Sequence, residues 1–155
     1  MNRKVSCIVL NYNTADMTGR VIERFQETVG SLSYEIIIID NASKEPFEIT
    51  TNDQIQLIKN QENVGFAKAV NQGIEKATGD YILLLNSDVF IEKDTLEKMI
   101  EYAENNQQVG IIGPMMKFPD NRFQTSAGRF PTTKRELFRF LKLGKIFGGG
   151  TLLYK

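Results

Sequence analysis

Three short polar stretches leave apolar runs in this chain: Asn11-Tyr12-Asn13 after VSCIVL, Asp40-Asn41-Ala42-Ser43 after YEIIII, and Asn86-Ser87-Asp88 after YILLL. Together they offer carboxylate and carboxamide oxygens and no soft donor. Such a set suits a hard cation, because Mg²⁺ or Mn²⁺ takes one or two carboxylates and completes its shell with substrate phosphates. Asp88 is the foremost candidate ligand, and Asp40 repeats its placement after another apolar run. Plainer roles stay open for both: Asp88 can turn the chain before VFIEKD, and Asp40 can head an Asx-turn with Asn41 or Ser43. Tyr12 can stack on a nucleobase or close the edge of the core. The chain has no histidine, which removes His-based zinc sites and Ser-His or Cys-His catalysis. Its single cysteine, Cys7, lies in an apolar run and reads as a buried thiol in a reducing, cytoplasmic setting.

Positioning these stretches requires strands that end together. Apolar runs at 5–10, 34–40, 55–60, 81–86 and 109–114 read as strands. Helical spacing covers 14–29, with Met17, Val21, Ile22, Phe25 and Val29 inward and Thr14 or Asp16 as N-cap. It covers 65–78 as well, with Phe66, Ala69, Val70 and Ile74 inward and Gly79 as the stop. A third helix at 94–106 opens on the capping pattern Asp94-x-x-Glu97. This is an α/β order, and continuous apolar strands imply a mainly parallel central sheet with helices on both faces. Ligands of such sheets bind beyond the carboxyl ends of the strands, so the three polar stretches should share one rim. Gly65, just before a helix start, adds backbone N–H groups that favour an anion. The segment matches neither the G-x-G-x-x-G fingerprint nor a P-loop, which argues against hydride transfer and P-loop hydrolysis. Beyond 115 the periodicity loosens, apart from a hairpin signal in KFPDNRFQ with its turn at 119–121.

At 155 residues, with 41% hydrophobic and 25% charged residues, the chain suits a globular domain. Basic and acidic residues balance at 19 each, so no global field points to nucleic acid. No run reaches the length of a membrane span, and MNRK followed by a short apolar segment is not a signal peptide.

VSCIVLNYN, YEIIIIDNAS, NVGFAKAVNQGI and GDYILLLNSDV, in this order and spacing, resemble the N-terminal half of family 2 glycosyltransferases. The rhamnosyltransferase-like branch, with its NxGFaxaxN segment, is the most similar. The resemblance covers about residues 4 to 114. It implies a GT-A fold, a UDP- or dTDP-sugar donor, a divalent cation (Mg²⁺ or Mn²⁺) and inversion at the anomeric carbon. Carried across, Tyr12 and Asn13 lie at the base, and Asp40 and Asn41 at the base or ribose. Gly65 and Lys68 face the donor, with Lys68 toward phosphate. Asn86-Ser87-Asp88 takes the place of the family's Asp-x-Asp, where Asp88 holds the metal and Asn86 bonds ribose or sugar without adding charge. Asn71 is expected to tie its helix to a strand-end loop.

The family's general base is an Asp or Glu well after the metal motif, and this chain has no candidate there. Glu136 reads as a helix-surface charge rather than a substitute. The expectation is a donor-binding core over 1–114 and an incomplete acceptor-side region over 115–155, truncated at its C-terminal part. Residues 134–147 (KRELFRFLKLGKIF) form a basic amphipathic stretch. It would pack on further chain, lie on an anionic membrane surface, or drive a homodimer. The acceptor is expected to be a saccharide or lipid-linked precursor at the inner face of the membrane. Competing readings are a nucleotidyltransferase, which wants a richer Gly/Arg loop than NYNTADMTGR, and a non-catalytic GT-A domain that binds nucleotide or a partner only. A receiver domain wants paired acids after the first strand, and NYN has none.

Overall fold

The computed structural model describes residues 3–124, together with Thr132, Thr133 and Phe140. The chain divides into two compact units at Gly110. In the first, β1 (Lys4–Asn11), β2 (Ser33–Asp40), β3 (Ile55–Lys59) and β4 (Tyr81–Asn86) form one parallel sheet in the order β3-β2-β1-β4. The helices are α1 (Ala15–Thr28), α2 (Phe66–Lys76) and α3 (Thr95–Asn105). Alternate residues of β1 and β2 feed two cores. Val5, Cys7, Val9, Ile36 and Ile38 meet Val21, Ile22 and Phe25 of α1 and Leu96 of α3 on one face. Ile8, Ile37 and Ile39 meet Ala69 of α2 on the other. Residues 36–39 are fully buried because both faces of β2 are covered. Each such side chain contributes about 1.5–3 kcal/mol by leaving water.

At the amino ends of the strands a buried carboxylate organises the packing. Glu35 lies directly opposite Ser6 in the β1–β2 register. Its Oε1 accepts from Ser6 Oγ at 2.6 Å, Thr78 N–H at 2.7 Å and Thr78 Oγ1 at 2.9 Å. Its Oε2 lies 3.2 Å from the Lys4 ammonium. Gly79 N–H donates back to Ser6 Oγ. The chain after α2 is thereby pressed onto β1.

The structure corrects several expectations. Residues 109–114 form no strand: two glycines and a proline interrupt the run, Val109 N–H closes a turn onto Asn106 O, and Ile111 is 95% exposed. Coverage of both faces holds for β1 and β2 but not for β4. Ile82 and Leu84, on the α2 side, are about half exposed because α2 sits over β1 and β2. Phe66 and Ile74 face outward, since α2 docks through its small residues Ala69 and Gly73 with Val70, and Met17 of α1 is exposed too. Asp94 precedes α3 in a left-handed conformation without a side-chain cap, so the capping box does not form. Thr14 precedes α1, yet neither its hydroxyl nor Asp16 caps the helix. Gly79 is not the helix stop, because α2 ends at Lys76. A Cβ there would stand 2.7 Å from Lys4 O and 2.8 Å from Ser6 N, so glycine is needed for close approach.

In the second unit β5 (Met116–Lys117) and β6 (Phe123–Gln124) pair antiparallel, and Asn121 takes the turn's positive φ. This is the hairpin expected from KFPDNRFQ. Residues 134–147, read as a basic amphipathic stretch, lie outside the described residues apart from Phe140. Among the described residues no helix is long and apolar enough to cross a membrane.

Candidate nucleotide-sugar site

The parallel order places the ends of β2, β1 and β4 side by side, with Asn11 opposite Asp40 and Leu10 opposite Asn86. Asn11, fully buried, is the centre of this rim. Its Nδ2 donates to Asp40 Oδ1 and to Ser43 Oγ, both at 3.0 Å. Its Oδ1 accepts from Thr18 Oγ1 at 2.8 Å and from Thr14 Oγ1 at 3.2 Å. Asp40, also buried, further accepts from the Ser43 hydroxyl and from Phe47 N–H. Burial alone would raise its pKa. Bonds from Ser43, Asn11 and the Phe47 N–H outweigh that and hold the carboxyl below its ordinary value. Asp40 is therefore an ionised anchor that shapes the loop after β2, the Asx-turn alternative in an extended form.

Asn13 and Asn41 are engaged in the same way. Asn13, at φ 56°, accepts from Lys44 N–H through Oδ1, and its own N–H donates to Ser43 Oγ. Asn41 Nδ2 donates to Asn63 Oδ1, while its Oδ1 accepts from Asn60 Nδ2 and Val64 N–H. These bonds tie the end of β2 to the loop before α2. Asn60 and Gln72 exchange two amide bonds, so Gln72 makes the tie between helix and loop. Asn71, the residue expected there, is exposed. Gly65 opens α2 at φ 82°, with its N–H bonded to Asn63 Oδ1.

A second group of residues has side chains free toward solvent. Tyr12 is 47% exposed, and Lys68, Asn86 and Asp88 are exposed. Among the described residues none of these four side chains has a hydrogen-bonding or ionic partner. Their backbone is nevertheless firmly placed. Buried Leu85 precedes the 86–88 turn, Val89 and Ile91 pack on the core after it, and Val89 N–H bonds Asn86 O. Arg20 of α1 lies over the Phe90 ring, 5.8 Å from its centroid. Ser87 Oγ accepts from Thr14 Oγ1 at 3.2 Å, joining the β4 turn to the β1 end. Beside the rim a cleft of about 540 Å³ is lined by the first residues of α1, by Asn13 and by Lys44 and Glu45.

No group of three or more metal-ligating side chains occurs among the described residues. The rim is thus no self-sufficient metal cage. One unpartnered carboxylate, Asp88, on a fixed turn does fit a cation that draws its other oxygens from a phosphorylated ligand. Glu35 and the Ser6–Thr78 network were missed from sequence as organising residues. The signal was available as one acid inside YEIIIID and one serine inside VSCIVL, each in a strand otherwise apolar.

A dolichol-phosphate mannosyltransferase of Pyrococcus furiosus is 25% identical over 113 residues, covering 70% of this chain and 32% of that protein. A poly-β-1,6-N-acetyl-D-glucosamine synthase of Staphylococcus aureus is 32% identical over 116 residues, 70% of this chain and 27% of that protein. The mannosyltransferase PcManGT of Pyrobaculum calidifontis, solved in complex with GDP-Man and Mn²⁺, superposes with a TM-score of 0.59 at 20% identity. That match covers 78% of this chain and 37% of PcManGT. S. aureus TarS 1–349 gives 0.56 at 18% identity, over 67% and 33% of the two chains. This chain spans about a third or less of the curated relatives it matches. The fold is that of GT-A glycosyltransferases. With the model of glycosyl transferase family 2 matching residues 6–154, the chain belongs to that family.

Proposed function

We propose that this chain holds the nucleoside-diphosphate end of a sugar donor at the carboxyl rim of its sheet, as the donor-binding part of an inverting, metal-dependent glycosyltransferase. The observation that carries the reading is the division of labour along the rim. Asn11, Asn13, Asp40 and Asn41 are locked into the scaffold, whereas Tyr12, Lys68, Asn86 and Asp88 are left free beside them.

In this reading Tyr12 lies against the base, and the backbone held by Asn13, Asp40 and Asn41 shapes the base and ribose subsite. Asn86 bonds ribose or sugar, Ser87 and Lys68 face phosphate, and the Gly65 turn presents the start of α2 to the donor. Asp88 would hold Mg²⁺ or Mn²⁺, which supplies positive charge against the diphosphate leaving group. A rigid turn suits that task, because a ligand carboxylate that moves loses pre-organisation. UDP- and dTDP-sugars are the proposed donors. The named activities of the relatives, a mannosyltransferase and a polysaccharide synthase, favour a saccharide or lipid-linked acceptor in cell-surface polysaccharide synthesis at the cytoplasmic side of a membrane.

Calorimetric titration with UDP, dTDP and GDP, with and without Mn²⁺, tests the proposal on wild type and Asp88→Ala. Expected is Mn²⁺-dependent binding in wild type that Asp88→Ala loses while its urea stability stays unchanged. Folded wild type that binds none of the three refutes the donor-site reading. Equal binding by Asp88→Ala refutes the metal assignment.

A further inference from the structure

We propose that Thr14 is a positioning residue for Ser87, turning the serine hydroxyl so that its proton faces outward as a donor to a phosphate oxygen; this rests on the rim being the donor site. Thr14 occupies the position before α1 where a threonine ordinarily caps the helix, yet its side chain makes no cap. Its oxygen stands 3.2 Å from Asn11 Oδ1 and 3.2 Å from Ser87 Oγ, and it has one proton to give. Asn11 Oδ1 already accepts the shorter bond from Thr18, at 2.8 Å. The Thr14 proton is shared, as a three-centre bond, between that amide oxygen and Ser87 Oγ, with Thr18 Oγ1 farther off at 3.4 Å, and Ser87 stands as acceptor toward Thr14.

A hydroxyl that accepts from Thr14 cannot donate back along the same line. Among the described residues nothing accepts the Ser87 proton, so it is free to turn outward to a ligand. Asp88, the next residue in the chain, would hold the cation in the proposed site, and a hydroxyl donor beside it would serve a phosphate oxygen of the bound diphosphate. The far end of the relay is fixed, because Asn11 is fully buried and its amide is held by Asp40 and Ser43. Order at the end of β2 is thus passed through Asn11 and Thr14 to the turn after β4.

The test titrates UDP and GDP, in Mn²⁺, into the 155-residue chain as wild type, Thr14→Val, Thr14→Ser, Ser87→Ala and the Thr14→Val/Ser87→Ala double variant. Thr14→Val and Ser87→Ala should each weaken diphosphate binding about three- to tenfold. The double variant should be no weaker than Ser87→Ala, and Thr14→Ser should restore wild-type binding. Uridine and guanosine binding, followed by saturation-transfer NMR, should not change, which separates a phosphate role from a general loosening of the rim. Wild-type affinity in Thr14→Val, or losses that add in the double variant, overturns the inference alone. Wild type that binds neither diphosphate overturns the donor-site reading and the inference with it. Should Thr14→Val fail to fold, unchanged affinity in Ser87→Ala overturns the inference by itself.

Discussion

Replacing Glu35 by glutamine keeps the side chain's shape while removing its charge from a site that is 3% exposed. Burial alone would raise the Glu35 pKa. Bonds from Ser6, from the Thr78 N–H and hydroxyl, and from Lys4 outweigh it and bring the value from 4.5 down to about 2. A folded-state pKa below the unfolded one means stability that is present above pH 4.5 and lost as pH falls through about 2. At about 1.4 kcal/mol per pH unit, the gap corresponds to roughly 3 kcal/mol. Urea unfolding followed by far-UV circular dichroism, from pH 7 to pH 2.5, measures it in wild type and Glu35→Gln. Asp40, Asp80 and Glu104 also have lowered pKa values and add acid sensitivity to both proteins. The difference between the two curves isolates Glu35. Wild type should be the more stable by about 3 kcal/mol at pH 7, the gap should narrow steadily below pH 4.5, and about 1 kcal/mol should remain at pH 2.5. Because Glu35 lies at the amino end of the sheet, nucleotide affinity at pH 7 should be unaffected. Curves that run parallel from pH 5 to 2.5 would refute the assignment of a charged, hydrogen-bonded Glu35.

Gly79→Ala should destabilise by about 1–3 kcal/mol in urea unfolding, because the added methyl meets the backbone of Lys4 and Ser6 rather than a movable side chain. Asn41→Ala removes the acceptor for Val64 N–H and the partner of the Asn60 and Asn63 amides. It should cost about 2 kcal/mol and speed hydrogen exchange at Val64. Tyr12→Ala should change the melting temperature little, since the side chain is 47% exposed and has no hydrogen-bonding partner among the described residues, while nucleotide affinity falls roughly 5- to 150-fold, the range for loss of one base-stacking aromatic. An unchanged affinity would remove Tyr12 from the base subsite.

The sheet was legible because apolar runs closed by Asn or Asp leave little choice: β4 spans the run YILLLN, and β1 to β3 differ from expectation by a residue or two at their ends. Their shared rim follows from parallel order alone. Which rim side chains are locked into the scaffold and which stay free was not legible. In Asn11-Tyr12-Asn13 two similar amides flank an aromatic, and only three-dimensional partners reveal that both amides face the scaffold while the ring stays out. The same holds for Asn71 and Gln72, neighbours on α2 of which the second finds Asn60. Helical spacing located α2 but not the centre of its buried stripe. Spacing favours large residues such as Phe66 and Ile74, whereas docking on Ile8 and Ile39 requires the small ones. The run at 109–114 shows that apolar residues make a strand only where a neighbour accepts their backbone bonds.

The β1–β2 pairing carries a further consequence. Had β2 slid two residues, bringing Asp40 opposite Val9, most of its isoleucines would still face apolar neighbours. Such a run has no means of its own to choose its alignment. The two polar pairs do choose: Ser6 opposite Glu35 and Asn11 opposite Asp40 stand five residues apart on both strands, and each pair is hydrogen-bonded. The slide would part both pairs, setting Ser6 opposite Ile37 and Asp40 opposite Val9, at about 1–3 kcal/mol for each buried polar group left without its partner. Alignment of the two central strands is thus written at their ends, and the pair at the carboxyl end is the one around which the polar rim is built. A substitution there also edits the instruction by which the strands find each other.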